Sequence, residues 1–208
     1  MAESAGILVA FEGGDGVGKS TQARLLADRL RANGREVVLT FEPGDTRIGP
    51  DVRRLVLDVA NDGLDARAEA LLYAADRAEH VGAVVRPALR RGAVVITDRY
   101  VDSSIAYQGV GRSLGVDEVA TLSEFATGGL TPDLTVLLDI PSDVRRGRIE
   151  GLGDRLEREA DGFHERVRRA FLERANVTPE RYLVLDGSLP PDELALLIAE
   201  RVEKVISQ

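Results

Sequence analysis

Gly13-Gly14-Asp15-Gly16-Val17-Gly18-Lys19-Ser20 stands directly behind the apolar run Ile7–Phe11 and satisfies G-x-x-x-x-G-K-[ST] at every fixed position. The context is that of a phosphate-binding loop, between a buried strand and a helix. Glycines let successive backbone N–H groups turn inward around phosphate oxygens, and the following helix directs its positive end at them. Gly13 through Ser20, with Thr21 behind them, are the expected ATP-binding residues; Lys19 reaches the β/γ-phosphates and Ser20 binds Mg²⁺. Composition adds an independent sign. Of 27 basic residues only Lys19 and Lys204 are lysines. A compact ammonium fits a backbone cradle better than a planar guanidinium fork, and here lysine is kept.

Working outward from the loop, five short apolar or β-branched runs read as buried strands: Ile7–Phe11, Glu36–Thr40, Ala93–Thr97, Leu134–Asp139 and Tyr182–Leu185. Between them lie stretches with helical spacing: Lys19 to about Ala32, Asp51–Val59, Ala66 to Arg91 with a break near Gly82 or Pro87, Val116–Ala126, Asp161–Asn176 and Pro191–Ile206. Alternating strands and helices predict an α/β protein with a five-stranded parallel sheet covered by helices on both faces, a three-layer P-loop fold. No linker splits the chain, so residues 1–208 read as one domain.

Composition narrows the function classes. A net charge of −8 argues against a nucleic-acid-binding surface, which needs a basic field. No apolar run approaches the roughly 18 residues that span a bilayer, and Met1-Ala2-Glu3-Ser4 lacks the start of a signal peptide. The absence of cysteine excludes disulfides and thiolate chemistry and fits a cytoplasmic location.

In a parallel sheet, ligands sit beyond the carboxyl ends of the strands. The polar stretches there are Glu12–Ser20, Glu42–Arg47, Asp98–Gln108 and Pro141–Arg155. Asp98, ending the third strand, suits water-mediated Mg²⁺ binding, and reads equally as a helix N-cap. Arg99 can bridge two phosphates with its fork. Ser103, Ser104, Tyr107 and Gln108 supply the donors and acceptors that base or sugar recognition needs.

The run Asp98-Arg99-Tyr100-Val101-Asp102-Ser103-Ser104-Ile105-Ala106-Tyr107-Gln108-Gly109 resembles the signature of thymidylate kinases. Other matches follow in order: Phe11-Glu12-Gly13-Gly14-Asp15; Glu42-Pro43-Gly44 with Thr46, similar to E-P-G-G-T; Leu71-Leu72-Tyr73-Ala74-Ala75-Asp76-Arg77-Ala78, similar to L-L-F-A-A-D-R-A; and Asp154-Arg155-Leu156-Glu157, similar to the D-R-x-E that closes the lid. The resemblance implies ATP-dependent phosphorylation of dTMP to dTDP with Mg²⁺, for dTTP synthesis, by a homodimer. It implies that Arg99 holds the dTMP phosphate and that Arg77 holds thymine. Pro43, Ser104 and Gln108 fall near the acceptor, and Tyr107 beside the deoxyribose 2′ position. Asp15 falls near the 3′-hydroxyl and the metal. Tyr73 matches the aromatic stacked on the base, or is simply a core residue of its helix.

Three departures stand out. Phe41 replaces an arginine, Asp45 replaces the second glycine of E-P-G-G-T and suggests a different turn, and Gly16 carries no P-loop arginine. The last implies a catalytic arginine from a lid over about residues 141–157, among Arg145, Arg146 and Arg148, with Arg148 favoured by position. His80 and His164 follow no strand and have no evident partner, so they receive no catalytic role; Glu165–Arg169 reads as a solvated face. Two rivals stay open. A deoxynucleoside kinase would need a base such as Glu12 or Glu42, and a P-loop switch would show no acceptor dependence.

Overall fold

The computed structural model describes residues 6–141, 144 and 153–207. Five strands form one parallel sheet: β1 Ile7–Glu12, β2 Val37–Phe41, β3 Val94–Asp98, β4 Leu134–Asp139 and β5 Tyr182–Asp186. The order is β2-β3-β1-β4-β5. Strands β2 and β3 begin and end one residue later than the apolar runs suggest. Pairing, not hydrophobicity, sets these ends: Phe11 and Phe41 are both in register with Asp98, so the polar residue remains in the ladder.

Alternation along the strands divides the core. Val9 and Phe11 of β1 join Val94, Ile96, Val136 and Leu138 on one face, packed by helices Lys19–Ala32 and Pro191–Ile206. Leu8 and Ala10 turn to the other, with Val95, Val81, Val85 and Tyr100. This period of two, apolar on both faces, is the mark of a sheet buried between helical layers. The connection from β1 runs toward the β2 edge and that from β3 crosses β1 to β4, so the winding reverses between β1 and β3, and the crevice at their carboxyl ends is where such sheets bind ligands.

Three local departures from the expected elements have identifiable causes. The helix expected over Asp51–Val59 runs Gly49–Leu57; Asp58 turns to extended backbone and its carboxylate accepts from Ala60 N at 2.8 Å, starting a separate short turn. The long helix does not break at Pro87. It runs Ala66–His80, widens to i→i+5 bonding over Val81–Val85 and resumes at Arg86–Arg90. The wide turn accommodates a ring that lacks an N–H and would crowd the preceding carbonyl. The polar run after β3 is itself helical, Val101–Ser104 followed by a wide-turn segment Ile105–Gly111. Among the described residues no helix is long and apolar enough to cross a membrane.

Candidate active site

Gly13, Gly16 and Gly18 all have positive φ, at 129°, 74° and 99°. A Cβ on Gly13 would lie 2.4 Å from the Leu138 carbonyl oxygen, so this glycine is required by space as well as by conformation. Gly18 caps helix Lys19–Ala32 without a side-chain bond, and the first turn holds no acid. The helix start is thus left open to an anion. Buried Lys19 donates to Gly14 O at 2.6 Å. Burial pushes its pKa down to about 8, helped by Arg99 and opposed by Asp98, Asp15 and Glu12.

Ser20 Oγ donates to Asp98 Oδ2, which brings the loop hydroxyl and the end of β3 together. Asp15 lines the same cleft, but its oxygens are turned elsewhere: one accepts from Arg99 Nη2, the other from Tyr107 OH at 2.7 Å. Burial alone would raise the Asp15 pKa; Arg99, Lys19 and the Tyr107 hydroxyl together hold it well below the usual carboxylate range. Among the described residues no group of three or more His, Cys, Asp or Glu side chains forms a metal cage.

Arg99 is the link between two halves of the site. Its Nη1 donates to Gly13 O at 3.1 Å and to Ser103 Oγ at 2.9 Å, and its guanidinium lies 5.1 Å from the centre of the Tyr107 ring. Its φ is +73°, a left-handed backbone that arginine rarely adopts. The Arg99 N–H donates to Phe11 O, and its carbonyl accepts from Thr97 Oγ1, both at 2.9 Å. Neighbouring strands therefore impose the conformation and aim the side chain into the crevice.

Beyond Arg99 lies a second cavity, lined by Pro43, Leu57, Tyr73, Arg77, Ser104 and Gln108, together with Arg53, Asp154 and Leu156. It contains every residue assigned from sequence to dTMP. Arg77 is buried and held by Glu42 Oε2 at 2.8 Å, Ser104 Oγ at 3.0 Å and Tyr100 O at 3.0 Å. Gln108 donates to Glu69 at 2.8 Å. Tyr73 both lines the cavity and packs against the cluster of Tyr107, Leu156 and Phe171. The Tyr107 ring is braced edge-on by Phe163 and Phe171.

Several residues escaped sequence reading. Arg53 lies in both cavities, donates to Pro43 O at 2.8 Å and stacks 5.7 Å from the Phe41 ring. Phe41 thus supports an arginine one helix turn into the next element. Buried Glu69 gathers Gln108, Arg155 and Arg112. Arg155, in the lid-closing motif, is buried on Glu69 and on Val56 O. Arg168 is only partly solvated: it makes a bidentate bond to Asp139 at 2.7 and 2.8 Å and lines a cavity with Gly13 and Gly14. His80 is not without partners either. It bonds Thr40 and Glu42, which are distant in sequence and so gave no signal. Asp45 has no positive φ, so its position needs no glycine, and its carboxylate lies 2.7 Å from Thr40 Oγ1. Arg145, Arg146 and Arg148, and most of the expected lid, lie outside the described residues.

A five-stranded parallel sheet with the order 2-3-1-4-5, a phosphate loop on its central strand and an arginine joining that loop to a second polar cavity define a P-loop kinase. The family model described as thymidylate kinase matches residues 11–198. The chain is 53% identical over 205 residues to a protein named thymidylate kinase from Clavibacter michiganensis, covering 97% of each chain. It is 53% identical over 201 residues to one from Leifsonia xyli, covering 95% of each, and 50% identical over 203 residues to one from Cutibacterium acnes, covering 98% of this chain and 99% of the relative. The chain belongs to the thymidylate kinase family and is an enzyme of that family.

Proposed function

We propose that the protein transfers the γ-phosphoryl group of ATP to the 5′-phosphate of dTMP, yielding ADP and dTDP. The observation that carries this reading is Arg99, whose guanidinium touches the phosphate loop at Gly13 O and the acceptor cavity at Ser103 and Tyr107. A fork so placed meets the phosphates of both substrates. In the free enzyme Asp15 neutralises it, so an arriving phosphate shares Arg99 with a carboxylate already there.

The attacking group is a phosphate oxygen, ionised at neutral pH, and no general base is needed. Catalysis is positioning and charge neutralisation in an in-line transfer. Lys19, the loop amides and Arg99 share the charge of the transferring group. Ser20 and Asp98 offer adjacent hard oxygen donors that would hold Mg²⁺, and the ion would supply neutralisation of phosphate charge there. Arg77 and Gln108 present donors to the carbonyl-rich edge of thymine, with Tyr73 against the ring.

The rival acceptor, a nucleoside hydroxyl, would need a carboxylate base. Both candidates are occupied. Glu12 accepts from Tyr100 N at 2.9 Å and from Ser103 N and Oγ at 3.1 and 2.6 Å; Glu42 is shared by Arg77 and His80. This supports a monophosphate acceptor. Presenting dTMP, dUMP, dCMP, dGMP and thymidine with Mg²⁺-ATP tests the reading directly: dTMP should be preferred by a wide margin, and preference for thymidine would overturn it.

A homodimer fits the surface. Leu71 is 58% and Phe125 88% exposed, on helices Ala66–His80 and Val116–Thr127 that pack side by side. Neighbouring apolar groups of this size are characteristic of interfaces. Sedimentation equilibrium should give twice the chain mass of 22.5 kDa.

A further inference from the structure

The motif Asp154-Arg155-Leu156-Glu157 carries an arginine that the proposed transfer does not use. Arg155 is buried, and its guanidinium donates from Nε and Nη2 to Val56 O at 3.0 and 2.8 Å. Nη2 also meets Glu69 Oε2 at 2.5 Å, and the Arg155 backbone N–H donates to Leu57 O at 3.1 Å. Val56 and Leu57 are the last two residues of helix Gly49–Leu57. Carbonyls at a helix end have no partner within the helix. Arg155 supplies one to each, from a position 99 residues after Val56.

The turn that carries Arg155 is braced within itself. Asp154 Oδ1 accepts from the Leu156 and Glu157 amides, both at 2.9 Å, and Glu157 Oε2 accepts from Asp154 N at 2.9 Å. This is a reciprocal capping box. Arg158 N closes the turn on Asp154 O at 3.1 Å. One turn alone is not stable, because nucleating it fixes many dihedrals for few bonds. Its attachments therefore decide where it points. Besides Arg155, Glu159 is bonded to Arg112 at 2.5 Å, and the His164 Nε2 lies 3.3 Å from Glu157 O. Arg112 in turn meets Glu69 at 3.3 Å, so two of the ties converge on one buried carboxylate.

This joint holds a wall of the acceptor cavity. Leu57, at the helix end, and Leu156, beside Arg155, both line it, and Glu69 anchors Gln108 on its polar side. We infer that Arg155 is a positioning residue for the acceptor: by fastening the end of helix Gly49–Leu57 to the turn 154–159, it sets Leu57 and Leu156 against the bound molecule. Arginine suits this place. Its planar fork gives Val56 O and Glu69 separate N–H groups in fixed directions, whereas a lysine ammonium is a single point on a flexible stem.

Among the described residues Arg155 makes no bond to the phosphate loop or to Arg99. Its removal leaves the phosphates their partners and displaces only the apolar wall. The expected signature is weaker acceptor binding with transfer preserved, a role that rests on the dTMP reading of the cavity.

The test is Arg155→Lys, with Arg155→Gln alongside in case the lysine variant does not fold. In either, KM for dTMP should rise about five- to tenfold, as for one lost buried hydrogen bond, while kcat and KM for ATP stay within about twofold. Leu156→Ala should raise KM for dTMP comparably. Adding Arg155→Lys to it should raise KM little further, because both changes act on one contact. An unchanged KM for dTMP in a folded variant, an equal rise in KM for ATP, or effects of the two changes that multiply in full would overturn the inference. Leucine methyl NMR reads the placement with no substrate present. Leu156 shares its cluster with the rings of Tyr107, Phe163 and Phe171, so its methyl resonances should move toward the ordinary leucine range in Arg155→Lys. Methyls that stay in place refute the positioning as well. Should the acceptor panel reject dTMP while these methyls move, the substrate reading fails and the placement of Leu156 by Arg155 stands, so the two failures are distinguishable.

Discussion

Replacing Asp15 with asparagine keeps the shape of the phosphate loop and removes one charge. Arg99 Nη2 and the Tyr107 hydroxyl both donate to this carboxylate. An amide offers one acceptor and turns a donor toward groups that are themselves donors. Removing one member of a buried ion pair costs about 3–5 kcal/mol when the other charge is stranded. Here the side chains of Arg99 and Asp15 retain 17% and 20% exposure, and Arg99 keeps Gly13 O and Ser103 Oγ. A cost just below that range, about 2–3 kcal/mol, is therefore expected. For a chain of this length each kcal/mol moves Tm by roughly 2–4 °C, so the variant should melt about 4–12 °C lower. The pH dependence has a definite sign. The folded pKa of Asp15 lies far below its unfolded value, near 3.9. The stabilisation is thus fully present above that unfolded value and is lost as pH falls from it toward the folded one. Denaturant unfolding of both proteins should give a constant gap from neutral pH to about pH 5 and a narrowing one below about 4. A gap under about 0.5 kcal/mol at neutral pH, or one that widens in acid, would show that the carboxylate is not held by its neighbours as described.

Other consequences can be checked alongside. Lys19→Met should reduce turnover by about 10³-fold with an unchanged melting curve; and because burial pushes the Lys19 ammonium down to about 8, kcat/KM for ATP should decline as pH rises through that value. Arg99→Gln should raise KM for dTMP and lower kcat together, whereas a change confined to KM for ATP would contradict its bridging place. Glu69→Gln leaves buried Arg155 without a carboxylate partner, while Arg112 keeps Glu159, and should cost about 3–5 kcal/mol in urea unfolding. It should also raise KM for dTMP, since Gln108 loses its anchor.

The legible parts of this protein were those written in contiguous residues. The loop from Gly13 to Ser20 fixed β1, its helix and the phosphate cradle at once, because spacing there is dictated by a ligand of constant shape. Strand cores were equally plain, but β2 and β3 ended where Asp98 pairs with Phe11 and Phe41, and pairing partners lie in other strands. The same distance hid Glu69, whose partners Gln108, Arg112 and Arg155 come from two later segments. Arg168 was hidden by its neighbours, since the alternating charges of Glu165–Arg169 look like a solvated face until Asp139 is placed beside it. The polar run after β3 gives no helical signal in sequence, because its side chains line the cavity and carry little amphipathic pattern.

The left-handed backbone of Arg99 has a consequence for how this sequence can drift. Arginine there is held against its own conformational preference, at a strain of about 1 kcal/mol or more. Glycine or asparagine would relieve it. A lineage selected only for a well-folded protein would therefore be expected to shed this arginine early, while its core and phosphate loop still looked intact. Position 99 is thus a sensitive marker of decay: among descendants of this chain, the first to lose kinase activity under relaxed selection should be recognisable by a small residue in that place.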